Sequence, residues 1–327
     1  MRVLVFEYLT AHGIGRDPAG PLHGMFREGR AMRDAVAADF RRLPDTEVET
    51  VAFSPGNDPE GELRRTARRC DYVVVIAPEH DGILGRYCRI VRQSTARLIN
   101  PSPEAIELTS DKLALARHWR DHGVRTPATT DRVPTACEAF PVVWKPRDGA
   151  GSTATFLLAD AFDVAQVRAC LVAGRHNGPM IVQEFVPGRA ASVAFLCGPA
   201  GNVPLLPTFQ HLSTDGRFTY RGGELPIPPD LADRAARLAT RAIDCVGGLI
   251  GYVGVDLILG DAPDGSKDYA LEINPRLTTS YVGHRAVADT NLAEAMLWAA
   301  AGTPTPELHW KAGGVRFATS GMVSPTG

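Results

Sequence analysis

Three oxygen-bearing side chains near the C-terminal end of the chain have the types and spacing of a metal site. Glu272 and Asn274 are two residues apart in an apolar segment that reads as a strand, so both side chains face the same side. Asp256 interrupts an earlier apolar segment, where an unpaired carboxylate would be costly. Mg²⁺ prefers such hard oxygen ligands and typically binds one or two carboxylates together with water and substrate phosphates. The sequence therefore predicts a magnesium site, which Mn²⁺ could also fill; the alternative is a strand with Glu272 and Asn274 facing solvent.

Two lysines and a glycine-rich segment predict a phosphate site. Lys145 lies near the end of an apolar strand and precedes residues 147–153, whose small side chains let backbone N–H groups surround phosphate oxygens. Lys112 falls in the first turn of a predicted helix with Ser110 as its cap, where positive charge is unfavourable unless an anion binds nearby. The segment is not a P-loop, because the lysine precedes the glycines and no helix follows them. An ordinary glycine-rich hairpin and a surface lysine are the alternatives.

The elements that must position these residues fall into three groups. Over the first ~100 residues apolar strands alternate with helices, which predicts a doubly wound parallel α/β sheet. Glu7 and Glu79 each follow a predicted strand of this sheet, at the edge where open α/β sheets bind ligands, although solvated loop carboxylates are an equal alternative. A strand at 180–186 then runs into Pro187 and Gly188, which indicates a hinge between two further subdomains. The predicted domains are residues 1–105, 106–187 and 188–327.

Composition excludes several classes of protein. The chain has 327 residues, of which 44% are hydrophobic and 22% charged. These values are typical of an ordinary globular protein with two or three subdomains. The 35 Lys and Arg against 37 Asp and Glu give a net charge of -2, so no basic surface indicates nucleic acid. The six cysteines are scattered, which indicates a reducing compartment rather than disulfides or zinc. No apolar run approaches the ~20 residues of a membrane span. We therefore expect a cytoplasmic protein without nucleic-acid or membrane partners and of undetermined oligomeric state.

The order of these motifs carries more information than any one of them. They resemble the ATP-grasp superfamily of carboxylate–amine ligases over about the C-terminal two-thirds of the chain. Longer strings at 5–10, 77–79 and 274–283 are similar to one subfamily, the tyramine–glutamate ligases of methanofuran-type cofactor biosynthesis. The resemblance implies a mixed α/β and α+β architecture, in which an N-terminal doubly wound parallel α/β domain precedes a two-subdomain ATP-grasp fold.

The resemblance also implies roles for individual residues. Lys112 and Lys145 would hold the phosphates of ATP, and Arg276 would stabilise charge on the transferred phosphoryl group and the tetrahedral intermediate. Two magnesium ions would be bound by Asp256, Glu272 and Asn274. A flap over the terminal phosphates would be formed by the backbone of Gly149, Ala150, Gly151, Ser152 and Thr153. Adenine would be read at the segment Gln183, Glu184, Phe185 and Val186, through the main chain of Glu184 and Val186.

The implied reaction is ATP-dependent amide formation through an acyl phosphate, with a small-molecule carboxylate and amine as substrates. The subfamily suggests the γ-carboxylate of L-glutamate and tyramine. A ligase for another acid and amine, and an ATP-binding module without turnover, are the alternatives; Arg276 argues against the module, which needs no charge-stabilising arginine. One departure is that residues 189–191 contain no acid to bind the ribose. The predicted substrate residues are Thr278, Thr279, Ser280 and Arg285 for the α-carboxylate, and Glu7 or Glu79 for the ammonium or the incoming amine.

Overall fold

A computed structural model describes residues 1–133, 140–149, 151–174 and 178–326. Strands in these residues form three sheets, which follow one another along the chain. No helix in the described ranges is both long enough and apolar enough to cross a membrane.

The first sheet is parallel, as the strand–helix alternation predicts. Its strands lie in the order β2-β1-β3-β4, and helices occupy the connections between them. The order reversal after β1 places the C-terminal ends of β1 and β3 side by side, which is where such sheets bind ligands. The elements are β1 (Arg2–Glu7), α1 (Tyr8–His12), α2 (His23–Arg41), β2 (Glu47–Thr50), α3 (Pro59–Ala67), β3 (Tyr72–Ile76), α4 (Ile83–Arg92) and β4 (Arg97–Leu98).

The second sheet is antiparallel, in the order β5-β8-β6-β7, and two helices precede it. The predicted cap of the second helix is wrong by one residue: Ser110 ends α5, and Asp111 caps α6 by accepting hydrogen bonds from the N–H groups of Leu113 and Ala114. An aspartate is at least as good an N-cap as serine, so it competes for the position. The elements are α5 (Pro103–Ser110), α6 (Lys112–Asp121), β5 (Thr129–Thr130), β6 (Val142–Pro146), β7 (Phe156–Leu158), α7 (Asp163–Ala173) and β8 (Met180–Glu184).

The third sheet is antiparallel and the largest of those described. Its path is β14-β13-β9-β11-β12-β15-β16, with β10 paired to β9. Strands β11 and β12 form a hairpin whose loop contains Asp215 and Gly216. The elements are β9 (Arg189–Gly198), β10 (Gly201–Pro204), β11 (Thr208–Leu212), β12 (Tyr220–Leu225), α8 (Pro229–Asp244), β13 (Gly251–Leu259), β14 (Tyr269–Asn274), α9 (Ser280–Val287), α10 (Leu292–Ala301), β15 (Gly314–Ala318) and β16 (Val323–Thr326).

Helix α2 joins the first sheet to the third. Its residues Met32, Val36 and Phe40 share one buried cluster with strand β1 and with helix α10. The buried Asp39 carboxylate on the same face accepts hydrogen bonds from Tyr281 and Arg285 of α9. Packing of α2 against α9 and α10 therefore fixes the C-terminal edge of the first sheet against the strands that carry the predicted metal ligands.

Candidate active site

A cavity of about 280 Å³ lies where the three sheets meet. Its walls include the C-terminal edge of the first sheet, helix α2, the glycine-rich loop, the end of β8 and the strands β13 and β14. Most of the predicted site residues line it, although they span the chain from Glu7 to Ser280. Those residues are Glu7, Lys112, Lys145, Gly149, Gly151, Ser152, Thr153, Gln183, Glu184, Phe185, Val186, Asp256, Glu272, Asn274, Arg276, Thr278, Thr279 and Ser280. Ala150 lies outside the described residues.

The two predicted metal-binding carboxylates are register partners on adjacent strands. Asp256 on β13 lies opposite Glu272 on β14. Asn274 Nδ2 donates to one oxygen of Asp256 at 3.1 Å, and Gln210 Nε2 donates to the other at 3.0 Å. Burial, and then the charge of Glu272, raise the pKa of Asp256. Two carboxylates held this close repel each other in a poorly solvated site, so the pair favours a cation between them.

This donor set fits magnesium. Two carboxylates and an amide oxygen are hard ligands, and they leave coordination positions for water and phosphate oxygens. Within the described parts of the chain no group of three or more His, Cys, Asp or Glu side chains could hold a metal. The candidate ligands are thus two carboxylates and one amide, Asp256, Glu272 and Asn274, which would hold the ion together with water and phosphate oxygens.

The two lysines flank Glu272. Lys112 Nζ lies 3.4 Å from Glu272 Oε2 and donates to the carbonyl oxygen of Gly149 at 2.9 Å. Burial alone would raise the pKa of Glu272, but Lys112 and Lys145 outweigh it and hold that pKa below its usual value. Burial lowers the pKa of Lys145 to about 8, opposed by Glu272. The group concentrates cationic side chains beside the predicted metal ligands, as a polyphosphate requires.

The glycine-rich loop is fixed at its base. Arg147 donates to both carboxylate oxygens of Asp111, at 2.8 and 2.5 Å, and its carbonyl oxygen accepts from the N–H of Lys112. Asp111 thus caps α6 and, through Arg147, also holds the loop against the start of this helix. Gly149 and Gly151 have φ values of +130° and +70°, which residues with a side chain rarely adopt. Glycine is therefore favoured at both positions because it adopts these backbone angles without strain.

The segment predicted to read adenine leaves β8 along the cavity wall. The Gln183 amide donates to the Thr129 hydroxyl at 3.0 Å, so this side chain braces β5 against β8. Phe185 packs on Phe218 of the β11–β12 hairpin, with ring centroids 6.3 Å apart and planes at 27°. The segment therefore touches both the second and the third sheet, as a hinge between subdomains must.

Arg276 is paired with Glu79 from the first sheet. Its Nε lies 2.8 Å from Glu79 Oε1, and its Nη2 donates to Oε2 at 3.2 Å. Both side chains are almost fully buried. The pKa of Arg276 is raised because Glu79, followed by Glu28 and Glu272, outweighs the effect of burial. Glu79 thus orients the arginine instead of lining the cavity itself.

Two predicted substrate residues have other partners. The Arg285 guanidinium binds both oxygens of Asp39, at 2.9 and 2.7 Å, and does not line the cavity. Arg285 lies on the side of α9 that packs against α2, and there it is the charge partner of the buried Asp39 carboxylate. Glu7 lines the cavity but caps α1, accepting from the N–H groups of Leu9 and Thr10.

Glu28 is a charged residue of the cavity wall that was not predicted from the sequence. Glu28 on α2 lines the cavity and accepts a hydrogen bond from the Thr279 hydroxyl. The sequence does contain a signal for it. Glu28 lies three residues after Met25 and four before Met32, within the apolar stripe of an amphipathic helix. A charged side chain in such a stripe indicates a buried partner or a ligand.

Two family models match successive parts of the chain. Residues 109–280 match the family model of the ATP-grasp domain, and residues 32–106 match that of the pre ATP-grasp 3 domain. The tyramine–L-glutamate ligase of Methanocaldococcus jannaschii is 27% identical over 96% of this chain and 93% of its own length. The D-alanine–D-alanine ligase of Bordetella avium is 26% identical over 52% of this chain and 57% of its own. Among solved structures, an ATP-grasp superfamily protein from Archaeoglobus fulgidus has a TM-score of 0.71 and 24% identity, covering 97% of this chain and 92% of its own.

Proposed function

Because the chain belongs to the ATP-grasp family, we propose that it is an ADP-forming ligase that joins the γ-carboxylate of L-glutamate to the amine of tyramine. The observation that carries the proposal is the convergence of two lysines, two carboxylates, Asn274 and Arg276 on one cavity. The full-length similarity to a tyramine–L-glutamate ligase supports the substrate pair.

The proposed reaction has two steps. The substrate carboxylate attacks the γ-phosphorus of ATP, the bond to the β-phosphate oxygen breaks, and ADP leaves. The amine nitrogen then attacks the acyl carbon of the acyl phosphate, phosphate leaves, and an amide remains after the nitrogen loses a proton. Positioning and neutralisation of charge provide most of the acceleration in phosphoryl transfer.

The chain's own residues meet those needs. Lys112 and Lys145 hold the phosphates, and the backbone of the glycine-rich loop covers them. Arg276, oriented by Glu79, stabilises negative charge on the transferred phosphoryl group and on the tetrahedral intermediate. Magnesium held by Asp256, Glu272 and Asn274 would neutralise charge on the phosphate oxygens. Enclosure by the loop protects the acyl phosphate from water.

A matrix of acids and amines tests the proposal. Enzyme, ATP and Mg²⁺ are incubated with L-glutamate or D-alanine as the acid and with tyramine or D-alanine as the amine, and ADP release and product mass are followed. We expect ADP release and γ-glutamyltyramine only where glutamate and tyramine are combined. A product from a different pair would discard this substrate assignment and keep the ligase; no amide from any pair would contradict the ligase itself.

A further inference from the structure

Hydroxyl groups on one side of the cavity belong to a buried hydrogen-bond chain whose direction is fixed. His284 Nε2 lies 2.7 Å from the carbonyl oxygen of Leu206, which can only accept, so Nε2 carries the imidazole proton. Burial lowers the pKa of His284 to about 4, so the ring is neutral at pH 7 and its Nδ1 can only accept. The Tyr252 hydroxyl, 3.0 Å from Nδ1, therefore donates its proton to His284.

This direction extends to the hydroxyls that line the cavity. Since the proton of Tyr252 is committed, the Ser280 hydroxyl, 2.8 Å away, donates to the Tyr252 oxygen. The Thr278 hydroxyl, 2.9 Å from Ser280 Oγ, then donates to Ser280. In this arrangement the positions left unused on Thr278 and Ser280 are lone pairs, which accept hydrogen bonds. This direction favours a ligand that donates hydrogen bonds over the α-carboxylate that Thr278 and Ser280 are predicted to bind.

Glu28 places a carboxylate beside Thr278 and Thr279, and we call these three residues the corner of the cavity. The neighbouring Thr279 hydroxyl donates to Glu28 Oε1, so its proton is also committed. Glu28 Oε2 makes no hydrogen bond, and Glu28 no ion pair, with the residues that the structure describes. Burial raises the pKa of Glu28, against the lowering effects of Thr279 and Arg276. The corner made by Glu28, Thr278 and Thr279 thus offers hydrogen-bond acceptors and no free hydroxyl donor.

The charges of this corner are unbalanced by one. Arg276 interacts with three carboxylates, pairing directly with Glu79 and acting at longer range on Glu28 and Glu272, and Glu272 has Lys112 and Lys145 as its own partners. With Glu28 and Glu79 ionised, one further positive charge would neutralise the group that they form with Arg276. A primary ammonium carries that charge and three hydrogen-bond donors. It therefore matches the carboxylate and hydroxyl oxygens of the corner, which accept hydrogen bonds.

We propose that Glu28, Thr278 and Thr279 form the binding site for the ammonium group of the amine substrate, an inference that rests on the proposed function. The corner adjoins the reacting centre, because Thr278 and Thr279 follow Arg276 by two and three residues and Glu28 acts on Arg276 electrostatically. The nucleophilic nitrogen must reach the activated carbon beside that arginine. The α-ammonium of the acid substrate does not react, so it need not lie near the activated carbon.

Steady-state kinetics of Glu28→Gln tests the site. We expect the KM for tyramine to rise ~10- to 100-fold, the size of a lost charge-assisted hydrogen bond, with the KM for the acid and the Kd for ATP within about twofold of wild type. Trapping of the acyl phosphate by hydroxylamine, a nucleophile that is neutral at pH 7, should be unchanged. Asp34→Asn is the matched control, since this carboxylate is on the same helix and exposed, and it should leave every parameter unchanged.

A neutral analogue gives a second measurement. The analogue of tyramine in which a hydroxyl replaces the amine has no charge for Glu28 to bind. Its inhibition constant should therefore be the same for wild type and Glu28→Gln. Thr278→Val should also raise the KM for tyramine, and Thr278→Ser should restore it; this pair keeps the test decisive if Glu28→Gln does not fold.

Three results would overturn the inference: an unchanged KM for tyramine in Glu28→Gln and Thr278→Val, a rise confined to the KM of the acid, or loss of hydroxylamine trapping. All of them require a wild-type enzyme that forms the amide. Failure of the wild type to form any amide would instead contradict the proposed function.

Discussion

Glu272 is the residue on which most of the candidate site depends. It faces Asp256 across the strand pair, lies 3.4 Å from Lys112, and keeps a low pKa because two lysines outweigh its burial. A carboxylate in this position is the counter-charge of the two lysines and would serve as a metal ligand as well.

Replacing Glu272 with alanine should abolish ADP formation while the fold is retained. The change removes a predicted ligand carboxylate, so the magnesium that would neutralise charge on the phosphate oxygens is no longer held. ADP release at saturating Mg²⁺ measures the effect, and circular dichroism verifies the fold. Glu104→Ala, at an exposed position of α5, serves as the control. Turnover near the wild-type rate in a folded Glu272→Ala protein would show that the metal assignment is wrong.

The Arg276–Glu79 pair makes a second prediction at this scale. Glu79→Gln keeps the shape of the side chain but removes its charge, so the guanidinium loses its orienting partner. We expect kcat for ADP formation to fall ~10- to 100-fold with the Kd for ATP unchanged, because the arginine acts on charge that develops during the reaction. Glu79→Ala should also destabilise the protein by ~3–5 kcal/mol, since it leaves a buried arginine unpaired. Wild-type kcat in Glu79→Gln would remove Glu79 from the positioning role.

At the scale of elements, strand β9 begins shortly after the predicted adenine-binding segment and contains no acidic residue. Arg189 packs over the Phe209 ring at 3.3 Å and pairs with Glu224 at 3.3 Å, and the next two residues are alanines. This strand therefore offers the ribose hydroxyls no carboxylate of its own.

We predict only modest discrimination between ATP and 2′-deoxyATP. A site built to hydrogen-bond a hydroxyl rejects the analogue that lacks it by ~10⁴ or more, whereas a site without such a partner does not. The ratio of kcat/KM values for the two nucleotides, measured with the same acid and amine, should be below about tenfold. A ratio of several thousand would mean that another segment binds the ribose.

At the scale of the whole molecule, Asp39 ties the first sheet to the third. Its carboxylate is 2% exposed and accepts from both Tyr281 and Arg285, which are more than 240 residues away in the sequence. Helix α2 carries both Asp39 and Glu28, so the contact that joins the two regions also holds one wall of the cavity in place.

Arg285→Ala should destabilise the protein by up to ~3–5 kcal/mol, because it leaves the buried Asp39 carboxylate with only the exposed Arg42 as a charge partner. Urea unfolding measures the change, and Arg42→Ala is the control because Arg42 is an exposed partner of the same Asp39. The KM for the acid substrate should stay within about twofold. A stable Arg285→Ala protein with a greatly raised KM for the acid would instead restore the predicted carboxylate-binding role.

The sequence by itself determined the features that depend on neighbouring residues. Strand–helix alternation predicted the parallel first sheet, and the order of the lysines, the glycine-rich loop and the Asp256, Glu272 and Asn274 positions predicted the ATP-grasp fold. The first signal is local, because side-chain periodicity and backbone preference act within a few residues, whereas the order of the motifs indicated the fold through its resemblance to a known superfamily.

Only the tertiary structure decided which distant side chains meet. Arg285 faces Asp39, Arg276 faces Glu79, and Glu28 enters the cavity, each through contacts between segments about 200 or more residues apart. The sequence could mark Glu28 and Asp39 as charges within an apolar helical stripe but could not identify their partners, because a buried charge is satisfied by whatever the fold brings against it. Hydroxyl direction along Thr278, Ser280 and Tyr252 likewise depends on His284 and the carbonyl that it meets.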